Sequence, residues 1–471
     1  MTPTSRYEDL SPEEFRRLGY ELIDWIADYL EDVRSRPVLP DVKPGELVDK
    51  LPASPPEHGS DIEDIFDDFR RIILPHVTHW NHPRFMAYFS VSASAPGILA
   101  EALIAALNTN GMVWKSNPAG TELEEVTLGW IREWLGLPSH YFGIIHDTAS
   151  TSTMHAIAAA RCWADPGVRF TGSSRGLTLY TSQEAHSSVE KGAIAIGIGQ
   201  DNVRKVPVDS DYRMCPKRLR EMIRQDRDAG KRPFCVVPTI GTTSTTSIDP
   251  VPAIADIAEQ ERLWMHVDAA YGGAAAVVPE LKHLLEGCER ADSIVMNPHK
   301  WFFTPLDLSA FYTRHPQVLR DAFSLVPEYL RTQADPRAVN YMDYGVPLGR
   351  RFRALKLWFV LRYFGREGMA AIIRNHIRWA GELAELIRRS EHFELTAPVT
   401  LSLVCFRYRG TDEQNQQLLE EINRSGAVFL SSTTVNGRFM IRLAIGNLRT
   451  TRDDVMAVWD LIQTTAARMF A

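Results

Sequence analysis

Apolar side chains recur every three or four residues near the start of the chain. Ser11, Pro12 and Glu14 offer a capping hydroxyl, a proline at the first helical position and a carboxylate three residues after the cap. They predict a helix from Pro12 in an N-terminal helical arm at 1–93, with a proline-rich stretch at 37–56. Either a partner chain or the core of the same chain could cover its apolar stripe of Phe15, Leu18, Leu22, Trp25, Ile26, Tyr29 and Val33.

The pattern then changes to short runs of β-branched residues that alternate with helical stretches. Helices are predicted at 217–228 and 252–260. This alternation indicates βαβ units and therefore a large α/β domain at 94–357, with a mostly parallel sheet covered on both faces. Ligands bind beyond the carboxyl ends of such strands, which are predicted at 177–181, 203–208, 235–239, 263–268 and 293–297.

The last part of the chain, 358–471, is predicted to form a smaller α+β domain. Apolar and polar residues alternate at 401–407 and 439–445, as in half-buried strands. The dipeptide Asn436-Gly437 is typical of a tight hairpin turn. The sequence therefore predicts an arm, a large domain and a small C-terminal domain.

The composition favours a protein that acts on small molecules. The 471 residues include 52 basic and 59 acidic side chains, and the formal charge of -7 argues against a generic polyanion binder. Five scattered cysteines without a CxxC pair indicate a reducing compartment. No signal-peptide pattern and no apolar run of about 18 residues occurs. We therefore expect a cytoplasmic protein that binds neither nucleic acid nor membrane.

Two motifs suggest other ligands but are incomplete. His76, His79 and His82 have a metal-like spacing, yet no carboxylate or cysteine cluster accompanies them, so no metal site is predicted. Gly197 and Gly199 lack the third glycine of a dinucleotide fingerprint, which argues against a nicotinamide cofactor.

A lysine follows one of the predicted strands, and an aspartate ends another. Lys300 comes just after the run 293–297, where a lysine is costly unless it is solvated, paired or used covalently. It is therefore either a surface lysine or a reactive amine. Strand alternation puts His266, Asp268 and Ala270 on one face. Asp268 is either a capping carboxylate or an acid that meets the edge of a cationic ring.

Two further segments supply an anion site and a flat ring. Residues 147–153 place hydroxyls and free backbone N–H groups before a predicted helix at 154–163. They form either an ordinary helix cap or a phosphate cradle. His186 follows the strand at 177–181, where it either completes a turn or stacks on a planar ring. An amine, an acid, an anion site and a stacking ring together match the functional groups of pyridoxal 5'-phosphate.

The motifs around these residues resemble those of group II pyridoxal-phosphate-dependent decarboxylases, and most of all the aromatic L-amino acid decarboxylases. The resemblance implies a type I PLP-dependent fold, like that of aspartate aminotransferase, in a homodimer whose N-terminal arm clasps the partner. Four motifs carry it: AHSS at 185–188, HVDAAY at 266–271, NPHKW at 297–301 and GRRFR at 349–353.

The resemblance also implies roles for single residues. Lys300 would bind the cofactor covalently, Asp268 would pair with the pyridinium nitrogen and His186 would stack on the ring. The other cofactor-binding residues would be Thr148, Ala149, Ser150 and Asn297 at the phosphate, Ala270 at the second ring face, Thr239 near the covalent bond and His299 on the substrate side.

A polar, aperiodic stretch at 331–345 is predicted to be either an ordinary mobile loop or a lid over the active site. By the resemblance, Tyr341 is the loop tyrosine that returns a proton to the α-carbon, and relatives that make aldehydes tend to have phenylalanine there. The implied catalytic residues are therefore Lys300, Tyr341, His186 and Asp268.

The resemblance also identifies residues on the substrate side. Val91 stands where the animal enzyme has a hydroxyl residue that touches a catechol, and Met112 replaces an aromatic residue contributed across the dimer. Gly349 leaves room for a wide ring. These differences favour tryptophan or a related bulky aromatic amino acid over L-DOPA. The implied substrate residues are Trp80, Tyr88, Phe89, Val91, Met112, His299 and Gly349.

Three alternatives stay open at this point. An aromatic acetaldehyde synthase would couple decarboxylation to oxidative deamination. An aminotransferase would share Lys300 and Asp268 and would depend on pyruvate or glutamate. A non-catalytic binding homologue would be recognised by a missing lysine or aspartate, and neither is missing.

Overall fold

The computed structural model describes residues 9–172, 175–325 and 338–470. Of the predicted lid, residues 331–337 lie outside the described residues, whereas Tyr341 lies within them. The helices are α1 (Pro12–Asp32), α2 (Glu46–Lys50), α3 (Ile62–Asp68), α4 (Ala95–Leu107), α5 (Pro118–Leu135), α6 (Ala149–Ala164), α7 (Val168–Thr171), α8 (Ser188–Ala195), α9 (Pro216–Asp228), α10 (Val251–Glu261), α11 (Pro298–Trp301), α12 (Pro316–Phe323), α13 (Arg353–Arg389), α14 (Asp412–Arg424) and α15 (Arg452–Phe470). The strands are β1 (Phe142–His146), β2 (Leu177–Ser182), β3 (Val203–Val206), β4 (Arg232–Val237), β5 (Trp264–Asp268), β6 (Ser293–Met296), β7 (Ser309–Thr313), β8 (Phe393–Leu395), β9 (Leu403–Tyr408), β10 (Ser431–Val435) and β11 (Arg438–Ala444).

The large sheet has seven strands in the order β1-β7-β6-β5-β4-β2-β3. Strand β7 pairs antiparallel with both β1 and β6, and the other strands run in one direction. Every residue of β5 and β6 is buried, because helices cover both faces of the sheet. The predicted α/β fold with a mostly parallel sheet is confirmed, although β1 and β7 were not predicted.

The parallel strands bring the predicted site segments to one edge of this sheet. Their carboxyl ends lie at the same edge, and the chain leaves β1, β2, β5 and β6 there into the segments that carry Thr148, His186, Ala270 and Lys300. Thr239 follows β4 and forms a bridge with Asp268 at the end of β5. The topology of the sheet therefore places these side chains along one edge.

The C-terminal sheet is antiparallel, in the order β10-β11-β9-β8. Asn436 and Gly437 join β10 to β11 with φ angles of 52° and 74°, as a type I′ hairpin requires. Helix α13 crosses the predicted boundary at 357 and changes direction at Gly365, whose φ is 60°. The domain boundaries themselves stay a prediction.

Helix α1 begins as predicted. The Ser11 hydroxyl accepts from the Glu14 N–H at 3.2 Å, and the Ser11 N–H donates to the Glu14 carboxylate at 3.1 Å. Its apolar stripe is only partly covered by this chain, since Leu18 is buried and Phe15 is 67% exposed. No helix within 9–172, 175–325 or 338–470 is both long and apolar enough to cross a membrane.

Candidate active site

Lys300 lies at the end of strand β6, in the short helix α11. Its N–H donates to the Asn297 carbonyl at 3.0 Å, which fixes the turn between the strand and the lysine. The Lys300 Nζ lies 5.5 Å from the centre of the Phe89 ring. Burial lowers the pKa of Lys300 and the Asp268 carboxylate opposes that shift. A lowered pKa leaves more of the amine neutral, which a nucleophile needs.

Asp268 ends strand β5 and is 5% exposed. Its carboxylate accepts from the Ala270 N–H at 3.0 Å, and the Ala270 carbonyl accepts from the Asn297 N–H at 3.1 Å. On the other side, the Asp268 carbonyl accepts from the Ile240 N–H at 2.8 Å. The ends of β4, β5 and β6 are thus joined by backbone bonds around this carboxylate.

His186 lies close enough to Asp268 and Lys300 for both charges to change its pKa. Burial lowers the pKa of His186, while Asp268 raises it and Lys300 lowers it further. The His186 Nδ1 accepts from the Ser188 N–H at 3.1 Å, so the neutral ring carries its proton on Nε2. The structure therefore places an amine, a carboxylate and an imidazole near one another, and their roles stay predictions.

The predicted anion site falls at the N-terminus of helix α6. The helix begins at Ala149, five residues before the predicted run, with Thr148 as its cap. The Thr148 hydroxyl accepts from the Thr151 N–H at 3.4 Å. Ala149 and Ser150 are the first two helical residues, whose N–H groups have no acceptor within the helix. They are free to bind an anion.

Two buried polar atoms near the Asp268 and Lys300 turns have no hydrogen-bond partner among the described residues. They are the Thr239 Oγ1 and the Asn297 Oδ1, in side chains that are 4% and 3% exposed. Buried polar groups are nearly always bonded, so an unpartnered pair indicates a missing ligand. With the amine, the carboxylate, the imidazole and the free helix N–H groups, they fit the aldehyde, ring and phosphate of pyridoxal 5'-phosphate.

His299 lies beside Lys300 as a neutral imidazole. It is 4% exposed, and its Nδ1 accepts from the Leu308 N–H at 3.0 Å. Burial, together with the neighbouring Lys300 charge, lowers the pKa of His299 to about 3. At neutral pH this ring can donate a hydrogen bond from Nε2 but cannot act as a cation.

The predicted substrate residues form two separate groups. Phe89 belongs to the first, with its ring stacked on Tyr271 at 3.9 Å and close to Lys300. Trp80 and Tyr88 extend this group, with ring centres 6.1 Å apart. Val91 follows on the same segment and is half-buried. An aromatic surface therefore adjoins the reactive amine.

The second group contains the predicted substrate residues Met112 and Gly349 together with the predicted catalytic residue Tyr341, and it lies elsewhere in the chain. The Met342 N–H donates to the Met112 carbonyl at 3.1 Å, and the Arg350 guanidinium lies 4.4 Å from the Tyr341 ring centre. No hydrogen bond, ring contact or charge interaction of the described residues joins this group to Lys300 or Asp268. Within one chain, Tyr341 thus shares a cavity with Asp147 and Thr151, which flank the predicted phosphate cradle, and has no described contact with Lys300.

Two buried charged residues near the site were missed by sequence reasoning. Arg442 is 3% exposed, 5.6 Å from the Phe89 ring centre, and donates to the Ser431 hydroxyl at 2.7 Å. Asp249 is 1% exposed, and burial raises its pKa to about 7. Its carboxylate accepts from the Thr239 N–H at 2.8 Å. Arg442 could have been noticed in the sequence, because it is a charged residue within the alternating run at 439–445. Asp249 gave no such signal, because an aspartate just before a helix is typical of an ordinary cap.

The chain is similar to known proteins over nearly all of its length. The sequence profile described as pyridoxal-dependent decarboxylase conserved domain matches residues 44–409. Aromatic-L-amino-acid decarboxylase of Cavia porcellus is 40% identical over 475 residues, covering 97% of this chain and 98% of the relative. Phenylacetaldehyde synthase of Arabidopsis thaliana is 38% identical over 477 residues, covering 97% of each chain. The crystal structure of Oryza sativa TDC with PLP and tryptamine has a TM-score of 0.94 at 36% identity, over 99% of this chain and 100% of that one.

Proposed function

This chain belongs to the family of pyridoxal-dependent decarboxylases, and we propose that it converts an aromatic L-amino acid to the arylalkylamine and CO2. The observation that carries this proposal is the Phe89 ring 5.5 Å from the Lys300 amine, which places an aromatic surface beside the reactive group. Similarity to the aromatic-L-amino-acid decarboxylase of Cavia porcellus supports it.

Each site residue has a role that follows from its charge or its hydrogen-bonding groups. Pyridoxal 5'-phosphate, when bound, supplies a ring that accepts the electrons left on the α-carbon as CO2 departs. The Asp268 carboxylate would stand at the edge of that ring and would favour a protonated ring nitrogen. His186 and Ala270 would limit the space on its two faces, and the N–H groups in the first turn of α6 would hold the phosphate.

A bulky aromatic amino acid such as tryptophan is the substrate we propose. A Cβ built on Gly349 has the Asn110 amide nitrogen at 3.8 Å as its nearest neighbour, so the glycine leaves open space. The test is to offer tryptophan, phenylalanine, tyrosine, L-DOPA and histidine separately and to measure CO2 and amine for each. A preference for histidine or L-DOPA would contradict this proposal.

Tyr341 decides between amine and aldehyde in this proposal. Aldehyde synthesis is the second candidate, favoured by the similarity to the phenylacetaldehyde synthase of Arabidopsis thaliana. It consumes O2 and water and releases ammonia and hydrogen peroxide with the aldehyde and CO2. Tyr341 has a buried hydroxyl, and burial raises its pKa well above the ordinary tyrosine value. It therefore keeps its proton at neutral pH, and in this proposal it delivers that proton to the α-carbon of the substrate.

We expect Tyr341→Phe to shift the product from amine toward aldehyde, because the variant keeps the ring but loses the proton. The measurement is the ratio of amine to aldehyde, with hydrogen peroxide as a check on the oxidative route. An unchanged amine yield would contradict the role of Tyr341.

We further propose a homodimer in which the second group of substrate residues completes the partner's site. Met112, Tyr341 and Gly349 are held together in this chain but away from Lys300. Helix α4 also exposes a row of leucines that a second copy could bury, namely Leu99, Leu103 and Leu107, which are 52%, 46% and 57% exposed.

Mixed dimers test this arrangement. A Lys300→Ala chain paired with a Tyr341→Phe chain has one complete site only if the tyrosine acts across the interface. Random pairing of equal amounts should then restore about a quarter of wild-type amine formation, since half of the dimers are mixed and each has one complete site of two. No restoration above the two single variants would contradict a shared site.

A cytoplasmic location is also part of this proposal. All five cysteines are free thiols in the structure. Protein thiols are kept reduced in the cytosol, whereas secreted proteins of this kind more often form disulfides.

A further inference from the structure

One histidine joins the predicted phosphate cradle to the segment that carries Tyr341. His155 lies in helix α6, two turns after the cradle, and is fully buried. Its Nε2 accepts from the Val346 N–H at 3.1 Å, and its Nδ1–H donates to the Thr151 carbonyl at 2.7 Å. Both ring nitrogens are therefore bonded to backbone, one within α6 and one on residues 341–350, which we call the Tyr341 segment.

Gly345 of the Tyr341 segment lies so close to the His155 ring that no side chain fits between them. A Cβ built on Gly345 would lie 2.8 Å from the His155 Nε2. Only glycine therefore fits at this position while His155 holds the next residue. The contact is specific to one ring nitrogen and one backbone N–H, and a hydrophobic side chain at 155 could not reproduce it.

Behind this contact lies a cavity of about 100 Å³. Tyr341, Gly349 and the His146 ring line it, together with Thr151 of α6. The Tyr341 hydroxyl and the His146 Nε2 are both buried and have no partner among the described residues. The predicted catalytic residue Tyr341 and the predicted substrate residue Gly349 thus face helix α6, to which His155 belongs, across this cavity.

We propose that His155 is a positioning residue that anchors the Tyr341 segment to helix α6 and thereby sets where the Tyr341 hydroxyl can reach. This inference rests on the proposed role of Tyr341. In the proposed homodimer, the anchor therefore couples the helix at one chain's phosphate cradle to the tyrosine that acts in the partner's site.

Only the neutral ring can form this anchor. A doubly protonated imidazole has no acceptor for the Val346 N–H. Burial lowers the pKa of His155, whereas its bond to the Thr151 carbonyl and the Asp147 charge raise it. The His146 ring meets it edge-on at 4.4 Å, and Phe323 of α12 lies 4.7 Å away.

Other charges around the anchor are already paired. Arg350 binds Glu124 at 2.7 Å, Arg353 binds Asp307 at 2.7 Å, and Arg320 of α12 binds Asp343 of the segment at 3.3 Å. Asp343 gives the segment a second attachment, so we expect loss of His155 to misplace Tyr341 rather than to release the whole segment.

The test compares His155→Gln with His155→Leu in the cofactor-loaded enzyme. Glutamine places an amide oxygen near the position of Nε2 and can still accept from Val346, whereas leucine cannot. We expect His155→Leu to lower amine formation on the order of tenfold and to raise the aldehyde share, since a buried N–H then lacks an acceptor. His155→Gln should restore the wild-type ratio, and His315→Gln, at the opposite end of the sheet, should leave it unchanged.

The anchor also has a readout that needs no turnover. Hydrogen exchange of the peptide covering 341–350, measured without substrate, should be faster in His155→Leu than in wild type or His155→Gln. At acidic pH, wild-type amine formation should fall before that of His155→Gln, because glutamine cannot be protonated.

The outcomes separate this inference from the proposed function. Unchanged exchange at 341–350 in His155→Leu overturns the anchor. Faster exchange with an unchanged product ratio, in a protein where Tyr341→Phe does change the ratio, overturns the positioning role alone. If Tyr341→Phe leaves the ratio unchanged, the proposed role of Tyr341 fails and with it the positioning role, while exchange still decides whether His155 anchors the segment.

Discussion

At the scale of single residues, Asp268 is a buried carboxylate that no described cation pairs with directly. Its own bond is to the Ala270 N–H, and the Lys300 amine affects it only through charge. A buried charge without a partner is costly, so the protein keeps it where a ligand brings the opposite charge. In the proposed function, the pyridinium nitrogen of the cofactor is that group. The sequence predicts site roles for Asp268 and Lys300 from their places at the ends of strands, but it does not predict that the described residues form no ion pair between them.

Asp268→Asn should lower turnover by about 10² to 10⁴-fold. Loss of one partner of a buried ion pair costs about 3 to 5 kcal/mol, and each 1.36 kcal/mol is a factor of ten in rate. The measurement is single-turnover decarboxylation at saturating cofactor, with bound cofactor quantified by absorbance. Near-normal turnover in a loaded variant would contradict the assignment of Asp268.

At the scale of elements, the site depends on how closely the ends of β4 and β5 approach. Thr239 bridges to Asp268, and Gly272 follows β5 with its N–H donating to the Ile240 carbonyl at 3.2 Å. A Cβ built on Gly272 would lie 2.5 Å from that carbonyl oxygen. This turn therefore leaves no room for a side chain where the ends of β4 and β5 meet.

Gly272→Ala should destabilise the protein by about 1 to 3 kcal/mol, because backbone and not a flexible side chain must move. Cofactor affinity should fall with it, since the Thr239 and Asp268 turns separate. Gly381→Ala is the matched control: it lies exposed in α13 with nothing near its Cβ, and alanine favours a helix. Urea unfolding of both variants checks this. Equal stability of the two would show that the close approach is unimportant.

At the scale of the whole molecule, buried neutral histidines make the fold sensitive to acid. Burial lowers the pKa of His266 to about 4 and those of His299 and His376 to about 3. In the unfolded chain each would titrate near 6.5. Their contribution to stability is therefore present above about pH 6.5 and is lost as the pH falls toward 4 and 3. Asp249, with its pKa raised to about 7, acts in the opposite direction.

We expect the free energy of unfolding to fall by a few kcal/mol between about pH 7 and pH 5, where three histidines must take up protons on unfolding. Urea denaturation at the two pH values, at constant salt, measures this difference. Equal stability at both would mean that these rings are protonated in the native protein or remain buried in the unfolded chain.

The relation between sequence and structure differs from one part of the molecule to another. Thr148, Asp268 and Lys300 were predicted as site residues because each lies in or just after a run whose composition marks it as a strand or a cap, and parallel strands end at one edge. Strand β7 was not predicted, although its five residues are all buried like those of β5 and β6. His155 and Asp249 were missed because their partners, Val346 and Thr239, are distant in sequence or lie across a turn.

The sequence by itself determined the local elements, the helix caps, the hairpin at Asn436-Gly437 and the residue types that suit one cofactor, because periodicity and turn chemistry are properties of neighbouring residues. Only the tertiary structure decided that β7 runs against its neighbours, that Tyr341 packs against Arg350 while the next residue, Met342, bonds to Met112, and that His155 bonds to the Tyr341 segment. Such contacts join residues far apart along the chain. Packing and backbone bonding choose them, and no local pattern encodes them.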